Sequence, residues 1–178
     1  MCRSYIFTSE RLGFRNWKRD DLEDFAAINA DFRVMEYFPF VLNKADTKAS
    51  IQSYQEHYDT YGYNYFAVET LSNKEFIGFI GMAFQTYKSK YTPATDIGWR
   101  LKPSAWGNGY ATEGAKRCLE YAFKALELER VIAICTINNI NSERVMQKIG
   151  MTKLGNFKHP KLKDYPDYED CLCYEIGL

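Results

Sequence analysis

"RLKPSAWGNGYATEGAKR", residues 100–117, places Gly107 and Gly109 between a proline-containing turn and a segment with helical spacing. The first turn of a helix leaves backbone N–H groups unpaired and carries partial positive charge. Glycines let such a backbone approach an anion with no Cβ in the way. Read alone, the stretch fits both an anion-holding loop and a plain helix-capping turn. Two familiar phosphate loops do not fit. A Walker loop requires Lys then Ser or Thr after its last glycine, where Tyr110 and Ala111 stand. A dinucleotide fingerprint requires glycine at Thr112 and a preceding βαβ unit.

Outward from the loop, "ATDIGWRL" reads as the strand that feeds it. "YNYFAVET" and "KEFIGFIGMAF" read as a hairpin joined through "LSNK". Beyond the loop, Ala111, Ala115, Cys118, Leu119, Ala122 and Leu126 share one helical face, with Glu113–Arg117 and Glu120–Lys124 as exposed i,i+4 pairs. "RVIAICTI" is a buried strand, and "NSERVMQKIG" a short helix with Ser142 near its start and Gly150 as its stop. "TKLGNF" and "DYEDCLCYEIGL" close the chain as strands. Toward the N-terminus, "TSERLGFRNW" alternates Leu12, Phe14 and Asn16 as a first strand. Two helices follow, one capped by Asp20 or Asp21 and one starting at Asp46 or Thr47, with Gly62 past its end. The order βααβββαβαββ predicts an α/β (α+β) protein: one domain over residues 1–178, with a single mixed, mostly antiparallel sheet of six to seven strands flanked by about four helices.

Lys and Arg total 23 against 23 Asp and Glu, so no nucleic-acid footprint is expected. "MCRSYIFTSERL" carries charge where a signal peptide needs an apolar run, and "FIGFIGMAF" (76–84) is far short of a membrane span. No membrane partner is expected, and the location is read as cytoplasmic. Cys2, Cys118, Cys135, Cys171 and Cys173 form no CxxC pair, and only His57 and His159 could join them. Reduced, mostly buried thiols are expected rather than a metal site or a disulfide framework.

Five stretches in order carry a family resemblance: "TSERLGFRNWKRDDLEDFAAINAD", "IGWRL", "WGNGYATEGAKR", "NINSERVMQKIGM" and "FKHPKL". Together they resemble the GNAT superfamily of N-acyltransferases, in its ribosomal-protein N-acetyltransferase (RimJ/RimL-like) branch. The resemblance implies the GNAT fold, acetyl-CoA as co-substrate and no metal. It implies a pyrophosphate loop at Trp106, Gly107, Asn108, Gly109, Tyr110, Ala111 and Thr112, with Trp99 and Leu101 pairing the pantetheine through their backbones. Trp106 stands where many relatives have Gln or Arg, so its side chain is not carried over as a phosphate contact. Asn139 resembles the branch's coenzyme-contacting Asn, and Ser142 occupies the position used near the thiol, although it also fits a helix cap. Met146 stands where many relatives place an acidic tyrosine. A homodimer is a family-level expectation beside a monomer.

Acyl transfer to an amine needs a proton acceptor, because only the neutral amine attacks, and N–H donors for the developing oxyanion. Asp96, read as preceding the coenzyme-bearing strand, is the leading base, with Glu69 and Glu75 behind it. The Leu101 backbone N–H is the candidate donor. His159, in "FKHPKL", titrates near neutrality and is a second base candidate or a structural histidine. Tyr37, Phe38 and Phe40 in "VMEYFPF" wall the acceptor pocket or belong to the core, and the tyrosine-rich second helix (Tyr54, Tyr58, Tyr61) could supply the other wall. The expectation is direct attack of a bound amine, from a small molecule or a protein N-terminus, without a catalytic cysteine. The alternatives are a catalytically silent coenzyme-binding module and a nucleotide-phosphate-binding domain.

Overall fold

The computed structural model describes residues 5–178, so the reading of Cys2 lies outside the described residues. A short β1 (Phe7–Thr8) and β2 (Leu12–Arg15) precede helices α1 (Asp21–Ala30) and α2 (Lys44–Tyr61). The antiparallel run β3 (Tyr65–Thr70), β4 (Phe76–Gln85) and β5 (Ala94–Leu101) follows. Then come α3 (Tyr110–Lys124), β6 (Arg130–Thr136), α4 (Ile140–Lys148), β7 (Thr152–Lys158), α5 (Pro166–Glu169) and β8 (Asp170–Gly177). One eight-stranded sheet results, in the order β1-β2-β3-β4-β5-β6-β8-β7. It exceeds the expected six to seven strands because Phe7 and Thr8 pair with Phe14 and Gly13. Helix α5, a single turn after Pro166, is the addition to the expected helices.

Strand alternation divides the core between two layers. Phe14, Phe66, Val68, Ile80, Met82, Ile97 and Leu101 face α3 through its Ala115, Cys118, Leu119 and Ala122. Ala67, Phe76 and Phe79 face α1 and α2 through Phe25, Ile28 and Ile51, with Trp17 between. Helix α3 lies close to the sheet at Gly114, where a Cβ would come 2.4 Å from Ile80 Cδ1.

Several local expectations change. The Asp20 side chain makes no cap bond. Asp21, in the first turn of α1, instead accepts from the Lys18 N–H and from both terminal nitrogens of Arg15, each at 2.7 Å. Arg15 Nε donates to Glu69 Oε1 at 2.7 Å, so α1, β2 and β3 are tied through a buried charge cluster. Strand β2 ends at Arg15, one residue before Asn16. Helix α2 is capped by Asn43 in a reciprocal box with Asp46, and Gly62 ends it in the left-handed conformation. Glu113 does not pair with Arg117. It accepts from Ser9 Oγ at 2.7 Å and ion-pairs with Arg11 at 2.6 Å, fastening the β1–β2 turn to the start of α3. Arg117 reaches Glu120 at 3.8 Å, and so replaces the expected Glu120–Lys124 pair.

Among the described residues no helix is long and apolar enough to cross a membrane. The "FIGFIGMAF" run is the buried centre of β4.

Candidate active site

Among the described residues, strands β5 and β6 are the only parallel neighbours in the sheet, and they pair at a single position, Asp96↔Ile132. Elsewhere along the two strands no residues pair, which leaves an opening in the ladder. The Lys102 N–H bonds Ile77 O on β4 at 2.9 Å. Backbone groups alternate along a strand, so the N–H and C=O groups of Trp99 and Leu101 face the opening. Asp96 lies inside β5 at the apex of this opening rather than before the strand.

The glycine loop stands at the mouth of the same opening. After a short 3-10 turn at Pro103–Ala105, Gly107 and Gly109 adopt φ of 76° and 79°, a region that L side chains avoid. Among the described residues, the N–H groups of residues 107–112 have no acceptor, and the first helical bond runs from Glu113 N to Gly109 O. The Asn108 side chain braces the loop through Ala105 O and Trp106 O, at 3.2 and 3.1 Å. The Trp106 indole N–H is used inside the protein, donating to Leu101 O at 2.8 Å. Tyr110 packs under the Arg11 guanidinium at 4.7 Å, and Ala111 and Thr112 complete the first turn of α3. A backbone nest of unpaired amides at a helix N-terminus, with open space over Gly107, fits a pyrophosphate.

Helix α4 supplies the facing wall. Asn139, not Ser142, is its N-cap, accepting from Ser142 N at 3.0 Å. The Ser142 hydroxyl lies against β5, accepting from the Trp99 indole N–H at 3.3 Å. Because the indole is a donor only, the serine's own proton stays available. Met146 is buried in the core and presents nothing to this wall.

The opposite face of β5 carries Asp96, Gly98 and Arg100. Asp96 Oδ1 accepts from Tyr65 Oη at 2.6 Å and from Gln85 Nε2 at 3.3 Å. Burial raises its carboxyl to about 6, while the bonds from Tyr65, Gln85 and the Ala83 backbone, and the charge of Lys161, act the other way. Tyr65 is pushed well above its ordinary value, by burial and then by Asp96, so it stays a donor. His159 has the extended backbone that a following proline imposes, stacks on Tyr87 at 4.5 Å, and accepts from the Lys161 N–H at 3.3 Å. Burial, then Lys161, lowers its pKa.

The aromatic segment after α1 is a rim rather than core. Phe38 and Phe40 are exposed; the Arg100 guanidinium lies 4.5 Å from the Phe38 ring, and Phe40 meets Tyr165 at 6.0 Å. Tyr37 is half-buried, its phenol pushed up by burial and then by Glu36. Of the α2 tyrosines, Tyr54 reaches this face, packing 5.4 Å from Tyr65. Tyr61 instead packs on His57 and Phe84, and Tyr58 on Phe66.

The remaining candidates serve structure. Glu69 is committed to Arg15, and also accepts from Tyr5 Oη at 3.1 Å. Glu75 pairs with Lys102. His57 uses both ring nitrogens, on Tyr63 O at 2.7 Å and Phe84 N at 2.8 Å. Cys118, Cys135, Cys171 and Cys173 are free thiols. Burial raises Cys135, Cys171 and Cys173 to about 12 and Cys118 further, which removes the thiolate a nucleophile needs. Sequence reasoning missed Tyr65, Gln85 and Tyr87 around Asp96, because nothing local marks a contact between strands.

Residues 11–152 match the acetyltransferase (GNAT) domain family. The chain is 36% identical over 152 residues to the uncharacterized N-acetyltransferase YnaD of Bacillus subtilis, with 85% of each chain covered. It is 38% identical over 87 residues to the FsC-acetyl coenzyme A-N(2)-transacetylase of Aspergillus fumigatus, covering 47% of this chain and 37% of that protein. A GNAT-family acetyltransferase structure from Bacillus anthracis superposes with a TM-score of 0.77 at 31% identity, covering 96% of each chain. The coenzyme A complex of RimL, a ribosomal L7/L12 α-N-protein acetyltransferase, shares the fold, with a TM-score of 0.79 at 18% identity and 98% of each chain covered. The family match and the opened sheet with its amide loop agree, and the chain belongs to the GNAT acetyltransferase family.

Proposed function

We propose that this protein transfers an acetyl group from acetyl-CoA to a primary amine, of a small molecule or a protein N-terminus, by direct attack within the opening between β5 and β6. The observation that carries the reading is the single-residue pairing of those strands beside a loop of unpaired amides. The amides of residues 107–112 hold the pyrophosphate, and the backbones of Trp99 and Leu101 pair with the pantetheine. Asn139 and Ser142 line the facing wall. Bound there, the coenzyme supplies an acetyl group activated as a thioester.

The chain's own groups do the rest. Asp96, with a pKa of about 6, is ionised at neutral pH yet basic enough to take a proton from an ammonium through direct contact or water. His159, kept neutral, is the second proton acceptor on that face. The Leu101 N–H points into the opening, where negative charge on the acyl oxygen develops. The Ser142 hydroxyl donates toward the departing sulfur. Phe38 and Phe40 wall the acceptor side, with Tyr37 behind them. The motifs from "IGWRL" to "FKHPKL" support the ribosomal-protein branch as the functional type, and RimL shares the fold at 18% identity.

The buried Met146 in place of a tyrosine favours one rival, a silent coenzyme-binding module. Thiol release from acetyl-CoA across a panel of amines and peptides separates the two. Turnover of at least one class supports the enzyme, whereas tight acetyl-CoA binding with no release on a broad panel supports the silent module.

A further inference from the structure

Two arginines lie on the α1–α2 side of the sheet, Arg15 buried and Arg100 half-buried, and the fold treats them differently. Arg15 has two carboxylates, Asp21 and Glu69. Arg100 has none. Among the described residues its guanidinium has one hydrogen-bond partner, the Asn29 side-chain oxygen at 2.7 Å, and its Nε is buried with no partner. Its remaining company is aromatic, Phe38 at 4.5 Å and Phe79 at 5.5 Å. A guanidinium stays charged at any working pH and has five N–H donors. Taking that charge partly out of water, with its Nε fully enclosed, is costly without an anion unless a ligand brings one. Burial lowers the pKa of Arg100, as expected for a cation lacking a counterion.

Arg100 also stands in the right place. Strand alternation puts it on the same face as Asp96, with Gly98 between them under the Tyr65 ring. Tyr54 feels both charges, so the two groups converge over one aromatic floor. The face therefore has a negative pole and a positive pole, roofed by the rim that runs from Phe38 to Phe40 and Tyr165.

We propose that Arg100 binds a carboxylate of the acceptor, which makes the acceptor an amine that also bears an acid group, with its amine at Asp96 and its carboxylate at Arg100. This rests on the acetyltransferase reading above. Four residues of strand separate the two backbones by about 13 Å, so the acceptor's two groups stand several bonds apart. An ω-amino acid and a peptide N-terminus followed by an acidic side chain share that chemistry.

The test begins with calorimetric titration of acetyl-CoA, then compares kcat and KM for two arms. One arm is the series from glycine to 6-aminohexanoic acid against the matching amino amides. The other is the peptide amide Ser-Asp-Ala against Ser-Asn-Ala. The expected result is a preference for the acid of about 10- to 100-fold in kcat/KM, expressed in KM, in the arm that holds the true acceptor type. Arg100→Gln removes the preference while leaving amide kinetics within about twofold, and Arg100→Lys keeps part of it. Equal turnover of acids and amides by the wild type in both arms overturns the proposal. So does an Arg100→Gln variant that slows acids and amides alike, since Arg100 would then only staple Phe38 to β5. If that variant does not fold, the wild-type comparison decides. Failure to bind acetyl-CoA in the first step defeats the acetyltransferase reading itself; binding followed by amide-indifferent turnover defeats only the carboxylate site.

Discussion

Trp99 and Ser142, 43 residues apart, meet across the opening in the sheet, where the indole N–H donates to the serine hydroxyl at 3.3 Å. The contact joins the splayed strand to the first turn of α4 and fixes where the hydroxyl points. Asn139 already caps α4, so the hydroxyl is not needed for the helix. Ser142→Ala is therefore expected to change stability by less than about 0.5 kcal/mol. It should lower kcat about 100-fold, the low end for proton transfer to a departing group. Paired thermal melts and steady-state kinetics check this.

Asp96 gives a pH signature. Its folded pKa of about 6 lies above the ordinary 3.8, so the folded state holds the proton after the unfolded state has lost it. Ionisation then costs stability, increasingly as pH rises toward 6 and fully above it. Asp96→Asn should raise Tm at pH 8 relative to wild type, with the gain vanishing near pH 4. The same variant should lose the acid limb of kcat/KM near pH 6 and fall about 100-fold or more at neutral pH. An unchanged limb in the variant moves the base to His159, where His159→Gln would then remove it.

Gly107 has a positive φ and nothing near its missing Cβ. Gly107→Ala is expected to strain the loop by about 1–2 kcal/mol and to raise KM for acetyl-CoA more than it lowers kcat. Circular dichroism with coenzyme titration separates the two effects.

The Arg15 cluster is structural. Asp21→Ala leaves Arg15 buried with half its partners and should destabilise the fold by about 3–5 kcal/mol, while an Arg15→Met/Asp21→Leu/Glu69→Leu combination should recover much of that. Urea denaturation of both variants measures the difference.

Much of the frame was legible because it is local. The strand–glycine–helix stretch and the β-branched run of β6 each carry their geometry within a few residues, whereas the cap of α4 reads as Ser142 and lies at Asn139. What was not legible is long-range. Tyr65 reaches Asp96 across 31 positions, Arg15 reaches Glu69 across 54, and Glu113 reaches Arg11 across 102. The sequence read Glu113 and Arg117 as an exposed helical pair, because i,i+4 spacing is all that one helix displays. Strand β1 is two residues long and exists only because Phe14 and Gly13 lie beside it. The missing counterion of Arg100 is likewise invisible until the sheet brings Phe79, Phe38 and Asn29 around it.

Calorimetric titration and thermal shift with acetyl-CoA, coenzyme A, ATP and NAD decide whether the amide loop and the opening beside it hold a coenzyme A thioester. Acetyl-CoA and coenzyme A are expected to bind and raise Tm, with about 2.7 kcal/mol of stabilisation at a hundredfold excess over Kd. ATP and NAD should give far less, and Gly107→Ala should weaken the effect. No binding or stabilisation by any coenzyme A species would contradict a coenzyme A site there.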